Sequence, residues 1–239
     1  MKINQPIFVS LFFVTLLILA VFMSPQIANA SKGEEILKSR CSSCHAIEKP
    51  GNFTLDRLWE RKGPDLYYSG IKFNKTWLVK WLQNPERIRP AGEFYYKHVK
   101  TGEKEDVIDE ASLTPHVRLS REEADTVADS LMERRDHADA LETGAFKNGT
   151  VSLSVGSLYF NKLRGCASCH MAKKGVGGLS APELYTGGER LQPDYILGYI
   201  KNPQKFDPYI WMPKFNLSDS DFQMLTSYIL QISRSEEKK

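Results

Sequence analysis

Cysteine is scarce in this 239-residue chain: there are four. All four lie in two short boxes, Cys41-Ser-Ser-Cys44-His45 and Cys166-Ala-Ser-Cys169-His170. No thiol is left over for a structural disulfide elsewhere, so the fold must be held by packing and by whatever the boxes bind. Histidine is nearly as scarce, at five, and two of the five close the boxes. Basic residues form no run of nucleic-acid type and the net charge is only +3, which excludes nucleic acid as an expected partner. Long apolar runs are missing too, apart from one near the start, Ile7 to Met23.

A Cys-x-x-Cys-His box is the attachment pattern of a c-type haem. Two thiols about one helical turn apart can add across the two porphyrin vinyl groups. The adjacent histidine, here His45 or His170, then supplies the fifth iron ligand. A thiol-redox Cys-x-x-Cys would not need a histidine in a fixed place. A zinc site would need a fourth ligand that neither box offers nearby. Two covalent haems, on Cys41 and Cys44 and on Cys166 and Cys169, are expected; redox thiols, zinc and disulfides are the alternatives.

The early apolar run follows a single charge, Lys2, and is followed by Ala28-Asn29-Ala30, a small-x-small cleavage pattern. Residues 1–30 therefore read as a signal peptide, with an uncleaved anchor as the rival reading, and the mature chain would start at Ser31. Export agrees with haem attachment, which in bacteria takes place outside the cytoplasm, so a periplasmic location is expected. Residues 31–142 carry 19 basic and 21 acidic residues, against 12 and 8 in residues 143–239.

Aligning the boxes exposes a repeat. Gly63-Pro64-Asp65-Leu66-Tyr67 returns as Ala181-Pro182-Glu183-Leu184-Tyr185, 118 positions later. The same offset links Trp77-Leu78, Trp81-Leu82, Asn84 and Pro85 to Tyr195-Ile196, Tyr199-Ile200, Asn202 and Pro203. Thr114-Pro115 to Ser120 then matches Met212-Pro213 to Ser218. The paired apolar positions form a stripe on a helix, which serves as plain core or as cofactor contact. Ser120-x-x-Glu123 and Ser218-x-x-Asp221 are capping signals for a last helix in each copy. Residues 143–153, rich in turn formers, read as a linker. The expected organisation is all-α: a first domain over 31–142, with an insertion at about 91–111, and a second over 154–239.

On these boxes, the Gly/Ala-Pro-Asp/Glu-Leu element, the aromatic helix ending in Asn-Pro, and Met212-Pro213 before a terminal helix, the chain resembles two class I cytochrome c domains in tandem. The resemblance covers nearly all of the mature chain. It implies a small helical bundle around each haem, with the porphyrin edge open to electron exchange. It implies that the carbonyls of Pro64 and Pro182 orient His45 and His170, contacts that tune the iron. It also implies that Met212 is the sixth ligand of haem 2.

The first copy departs from the pattern. Thr114 stands where Met212 stands in the second, and the stretch between the two prolines is 20 residues longer. His116 and His98, beside and within the insertion, are the sixth-ligand candidates for haem 1, with neither as a third alternative. Either would make it a bis-histidine haem of lower potential than haem 2. His137 reads as solvated surface, and Met171 as packing. No catalytic residue is expected. The functions left open are a dihaem electron carrier or carrier subunit, a peroxidase-like or sulfur-compound-oxidising dihaem enzyme reacting at haem 1, and a redox or gas sensor. The carrier would dock redox partners, acidic ones if Lys162, Arg164, Lys173, Lys174 and Lys214 form a basic rim at haem 2. A solvated face is the alternative, and association with a membrane respiratory complex is left open.

Overall fold

The computed structural model describes residues 32–236, so the expected signal peptide lies outside the described residues. Both boxes are reached in the same way. Helix α1 (32–36) widens into a π turn, Leu37–Cys41, that buries Leu37 and delivers Cys41. Helix α6 (Leu153–Leu158) passes into a π turn, Tyr159–Leu163, that buries Phe160. Gly165, at φ +65, then swings the chain into Cys166, a left-handed conformation that glycine adopts without steric cost. Such turns recur near functional sites.

Between the first box and the insertion run α2 (Leu55–Glu60), α3 (Ser69–Lys72) and α4 (Lys75–Gln83). Helix α5 (Arg121–Met132) follows the insertion and opens with the expected capping box: Ser120 Oγ accepts from Glu123 N, and Glu123 Oε2 accepts from Ser120 N. Its buried face, Ala124, Val127, Ala128 and Leu131, recurs at helical spacing and packs on α4. The second half repeats this order with α7 (Gly187–Arg190), α8 (Pro193–Lys201) and α9 (Asp219–Glu236). Phe222, Leu225, Tyr228 and Ile229 are the buried face of α9, set against α6, α7 and α8. Gly156 admits the Tyr228 ring, which a Cβ there would meet at 2.5 Å.

The expectation of an all-α chain needs one amendment. Two small antiparallel ribbons are present: β1 (Val99–Lys100) with β2 (Val107–Ile108) in the insertion, and β3 (Met171–Lys173) with β4 (Val176–Gly177) after the second box. Local turns make them, with Gly175 and Gly177 at positive φ, and neither grows into a sheet.

The halves meet through equivalent residues. Phe73 and Leu191, 118 positions apart, form an antiparallel bridge. Asn74 N donates to Arg190 O and Gln192 N to Lys72 O, both at 2.9 Å. The Asn74 amide reaches Glu189 O and Leu191 O, while the Gln192 amide reaches Gly70 O and Phe73 O. Like joins like here, as across the two-fold axis of a homodimer. Rings fill the seam beside the bridge: Phe206 packs on Tyr68, Tyr195 and Tyr199 at centroid distances of 5.7, 5.3 and 5.2 Å. One contiguous buried cluster runs through both halves.

His137 corrects an expectation. It is buried rather than solvated, with Tyr67, Tyr68 and Phe206 within 5.8 Å. Helix α5 stops at Met132 and the chain doubles back, Arg134 O accepting from Gly70 N and Tyr67 O from Asp136 N, which carries His137 into the seam. The expected linker is also pinned at its start, where Gly144 N and Phe146 N donate to the Asp194 carboxylate at 2.7 and 2.8 Å.

Candidate functional site

Each box closes a single turn. His45 N donates to Cys41 O, and His170 N to Cys166 O, at 3.0 Å in both. The carbonyl after each histidine, Ala46 O or Met171 O, accepts from Leu66 N or Leu184 N at 2.8 Å, which brings the Pro element under the box. His45 Nδ1 then donates to Pro64 O and His170 Nδ1 to Pro182 O, each at 2.7 Å. That bond fixes the tautomer and leaves Nε2 free as the donor atom for a metal. Gly63 is needed for close approach: a Cβ there would sit 2.5 Å from His45 Cε1.

Burial holds the His45 imidazole below its ordinary pKa and pushes His170 down to about 4, so both are neutral at pH 7, the state that binds metal. Burial raises the Cys41 and Cys166 thiols instead. A redox-active Cys-x-x-Cys needs a lowered thiol, so the thiol-redox reading loses ground. None of the four cysteines is in a disulfide. Among the described residues, no group of three or more His, Cys, Asp or Glu side chains could hold a metal ion.

In the second half a cavity lies beside the box. His170, Cys166 and Met212 line it together with Arg164 and an apolar wall that includes Phe160, Leu184, Ile200, Leu225 and Ile229. The Met212 carbonyl is held by Gln204 Nε2 at 2.8 Å. Met171 is buried packing. Of the basic rim, Lys162, Lys173, Lys174 and Lys214 are exposed. Arg164 is not a free rim charge: its guanidinium bonds Tyr159 Oη at 2.7 Å and lies 3.9 Å from Asp221.

In the first half the ring facing His45 is His116, with centroids 6.0 Å apart and planes at 56°. His116 Nδ1 donates to Val117 O, so its Nε2 is free as well. The segment is anchored to the Asn-Pro turn, where Asn84 Oδ1 accepts from Arg118 and Leu82 O from Leu119 N. Trp81 stacks edge-on to His116 at 4.6 Å, at the end of a row of rings from Phe73 through Trp77. Thr114 is exposed. His98 Nδ1 is bonded to Ser112 Oγ, and its ring lies against Gly92.

Sequence reasoning missed a pair of cations at the seam. Lys72 Nζ lies 4.9 to 5.7 Å from the ring centres of Phe73, Tyr68 and Tyr195, and burial, with Arg190 nearby, lowers its pKa to about 7. Arg190, its repeat partner, is buried, is bonded to Glu183 O and holds Nε 3.6 Å from the Glu183 carboxylate. Extending the 118-residue repeat by a few positions would have found both. Arg164 Nε is buried without a hydrogen-bond partner. The apolar cavity of the second half, with the free Cys166 thiol, the neutral His170 imidazole and the Arg164 guanidinium in its wall, suits a haem, whose apolar ring carries carboxylates.

The model for "Cytochrome C oxidase, cbb3-type, subunit III" matches residues 155–229, which takes in the second box, Pro182, α8 and Met212. A "Cytochrome c" from Gibberella zeae is 33% identical over 82 residues, covering 29% of this chain and 77% of that protein. The chain belongs to the cytochrome c family. No solved structure matches it. Covalent haem c and haem-based electron transfer come with membership. In this cytochrome c the family model leaves the first box, His116 and the insertion unmatched.

Proposed function

We propose that this cytochrome c is a periplasmic dihaem protein that moves single electrons between redox partners. Haem 1 would be attached to Cys41 and Cys44 with His45 as proximal ligand, and haem 2 to Cys166 and Cys169 with His170. The two haems would supply iron that cycles between ferric and ferrous states by one electron. The observation that carries the proposal is the recurrence of one bonding pattern at both boxes, down to the 2.7 Å contact of each imidazole with its proline carbonyl. The repeat organisation, with domains at 31–142 and 154–239, follows from the same pairing.

The ligands differ between the copies. Met212 shares its cavity with His170, which supports a His/Met haem 2 of higher potential. Two imidazoles bound to opposite faces of one metal by bonds of about 2 Å hold their ring centres roughly 6 Å apart. His45 and His116 stand at 6.0 Å, which favours His116 over His98 and a bis-histidine haem 1. Both irons would then be saturated, so the chain binds and orients without a reacting site, as a carrier does. Partners would dock where Leu163 and Val176 are exposed between Lys162, Lys173 and Lys174, a surface suited to an acidic protein.

Optical and EPR spectra of His116→Ala and His98→Ala test this. His116→Ala should open haem 1 to carbon monoxide in the reduced state, while His98→Ala leaves it closed. If reduced wild-type protein already binds carbon monoxide at haem 1, the carrier reading fails and the dihaem oxidoreductase takes its place.

A further inference from the structure

The insertion at about 91–111 reaches the other half of the molecule through Phe94, which meets Trp211. Trp211, next to Met212, stands edge-on to Trp59 at 5.1 Å and to Phe94 at 5.9 Å. Trp59, at the end of α2, stacks on Phe94 at 5.4 Å. Phe94 is buried and belongs to the insertion. Lys97, also of the insertion, donates from Nζ to Trp59 O at 3.2 Å and lies 4.6 Å from the Phe94 ring. A Trp that is 56% exposed would gain little from solvent alone, yet here two rings from the first half cover one side of it.

Polar contacts reinforce the rings. Arg61, two residues past Trp59, reaches Asp207 at 3.4 Å and Glu93 of the insertion at 3.5 Å. Arg89 holds Glu93 from the other side at 3.7 Å. Asp207 heads the turn that ends at Met212: its side chain accepts from Tyr209 N at 3.0 Å and its carbonyl from Ile210 N at 3.1 Å. Gln204 then holds the carbonyls of Ile210 and Met212. Residues 207–212 are thus gripped at both ends, at Asp207 by Arg61 and at Trp211 by Trp59 and Phe94.

We propose that Trp59 and the insertion residue Phe94 clamp Trp211 and so hold Met212 on the iron of haem 2. The extra segment of the first half is then a positioning device for the ligand of the second half. The clamp rests on the reading of Met212 as that ligand. It also makes the sixth ligand of haem 2 depend on the docking of the two halves. Loosening the seam would release the methionine before the helices unfold.

The test uses the holoprotein and two readouts: the thioether-to-iron charge-transfer absorption of ferric haem 2, and the affinity of free imidazole, which competes with Met212 for that iron. Met212→Ala comes first and should abolish the absorption; if the band survives, Met212 is not the ligand and the clamp falls with it. Given that loss, Trp211→Ala and Phe94→Ala should each raise the imidazole affinity of haem 2 about tenfold, the effect of losing one or two aromatic contacts. Trp211→Phe should restore most of the wild-type affinity, and the haem 1 spectrum should not change. Trp211 is exposed, so its substitution does not threaten folding. Wild-type imidazole affinity in both alanine variants would overturn the clamp while leaving the Met212 assignment standing.

Discussion

Replacing Phe206 by alanine should show whether the two halves are one packed body. Its ring is 1% exposed and touches residues from both sides of the seam: Tyr68 and His137 from the first half, Tyr195 and Tyr199 from the second. Truncating a fully buried phenylalanine costs about 3–5 kcal/mol, the lost transfer of the ring plus the cavity left behind. Four flanking rings in fixed orientations resist collapse into that cavity, so a value near the middle, about 4 kcal/mol, is expected. For a denaturant slope of about 4 kcal/mol/M in guanidinium, the midpoint should fall by about 1 M. The assay is equilibrium unfolding of the holoprotein, followed by far-ultraviolet circular dichroism and by haem absorbance. Phe206→Leu refills most of the volume and should recover the larger part of the loss. Tyr209→Ala, at a residue 42% exposed, serves as the control and should stay within about 0.5 kcal/mol of wild type. If Phe206→Ala costs no more than that control, the ring seam does not hold the halves together and the reasoning fails.

The capping box of α5 gives a smaller, local prediction. Ser120→Ala removes the acceptor of Glu123 N and should cost about 1 kcal/mol, lowering Tm by roughly 3 °C. Ser218→Ala at α9 removes the matching bond from Asp221 N and should cost a similar amount; an unchanged melting curve in both would refute the caps. A pH effect follows from His137. Burial keeps its folded pKa below the 6.5 of an unfolded histidine, so the unfolded chain binds more protons in the window below pH 6.5. Stability from this group is complete above that value and drains away as pH falls towards the folded pKa. His137→Phe should therefore flatten the loss of stability between pH 7 and 5 measured by guanidinium unfolding, and an unaltered slope would remove His137 from the account.

Much of the site was legible in the chain itself because its chemistry is local. Two thiols and a histidine must fall within one helical turn, so the boxes announce what they bind wherever they are folded. The proline elements and the capping serines are legible for the same reason, and the 118-residue offset pairs the motifs of the two halves position by position. His137 was misread because its surroundings depend on where α5 stops and on how the chain then doubles back, a matter of contacts with Tyr67 and Gly70 that no local pattern carries. Arg164 looked like a free surface charge because its sequence neighbours say nothing of Tyr159 Oη or Asp221.

Sequence alone therefore marked the two Cys-x-x-Cys-His boxes, the histidines that close them, the helix starts and the threonine that stands at 114 where the second half has Met212. Tertiary structure decided which histidine faces His45, how Phe73 meets Leu191, and that the insertion reaches across to Trp211. The division has a physical cause. Covalent spacing and capping act over three or four residues, whereas the seam joins groups more than a hundred residues apart, and only the docked halves bring them within reach.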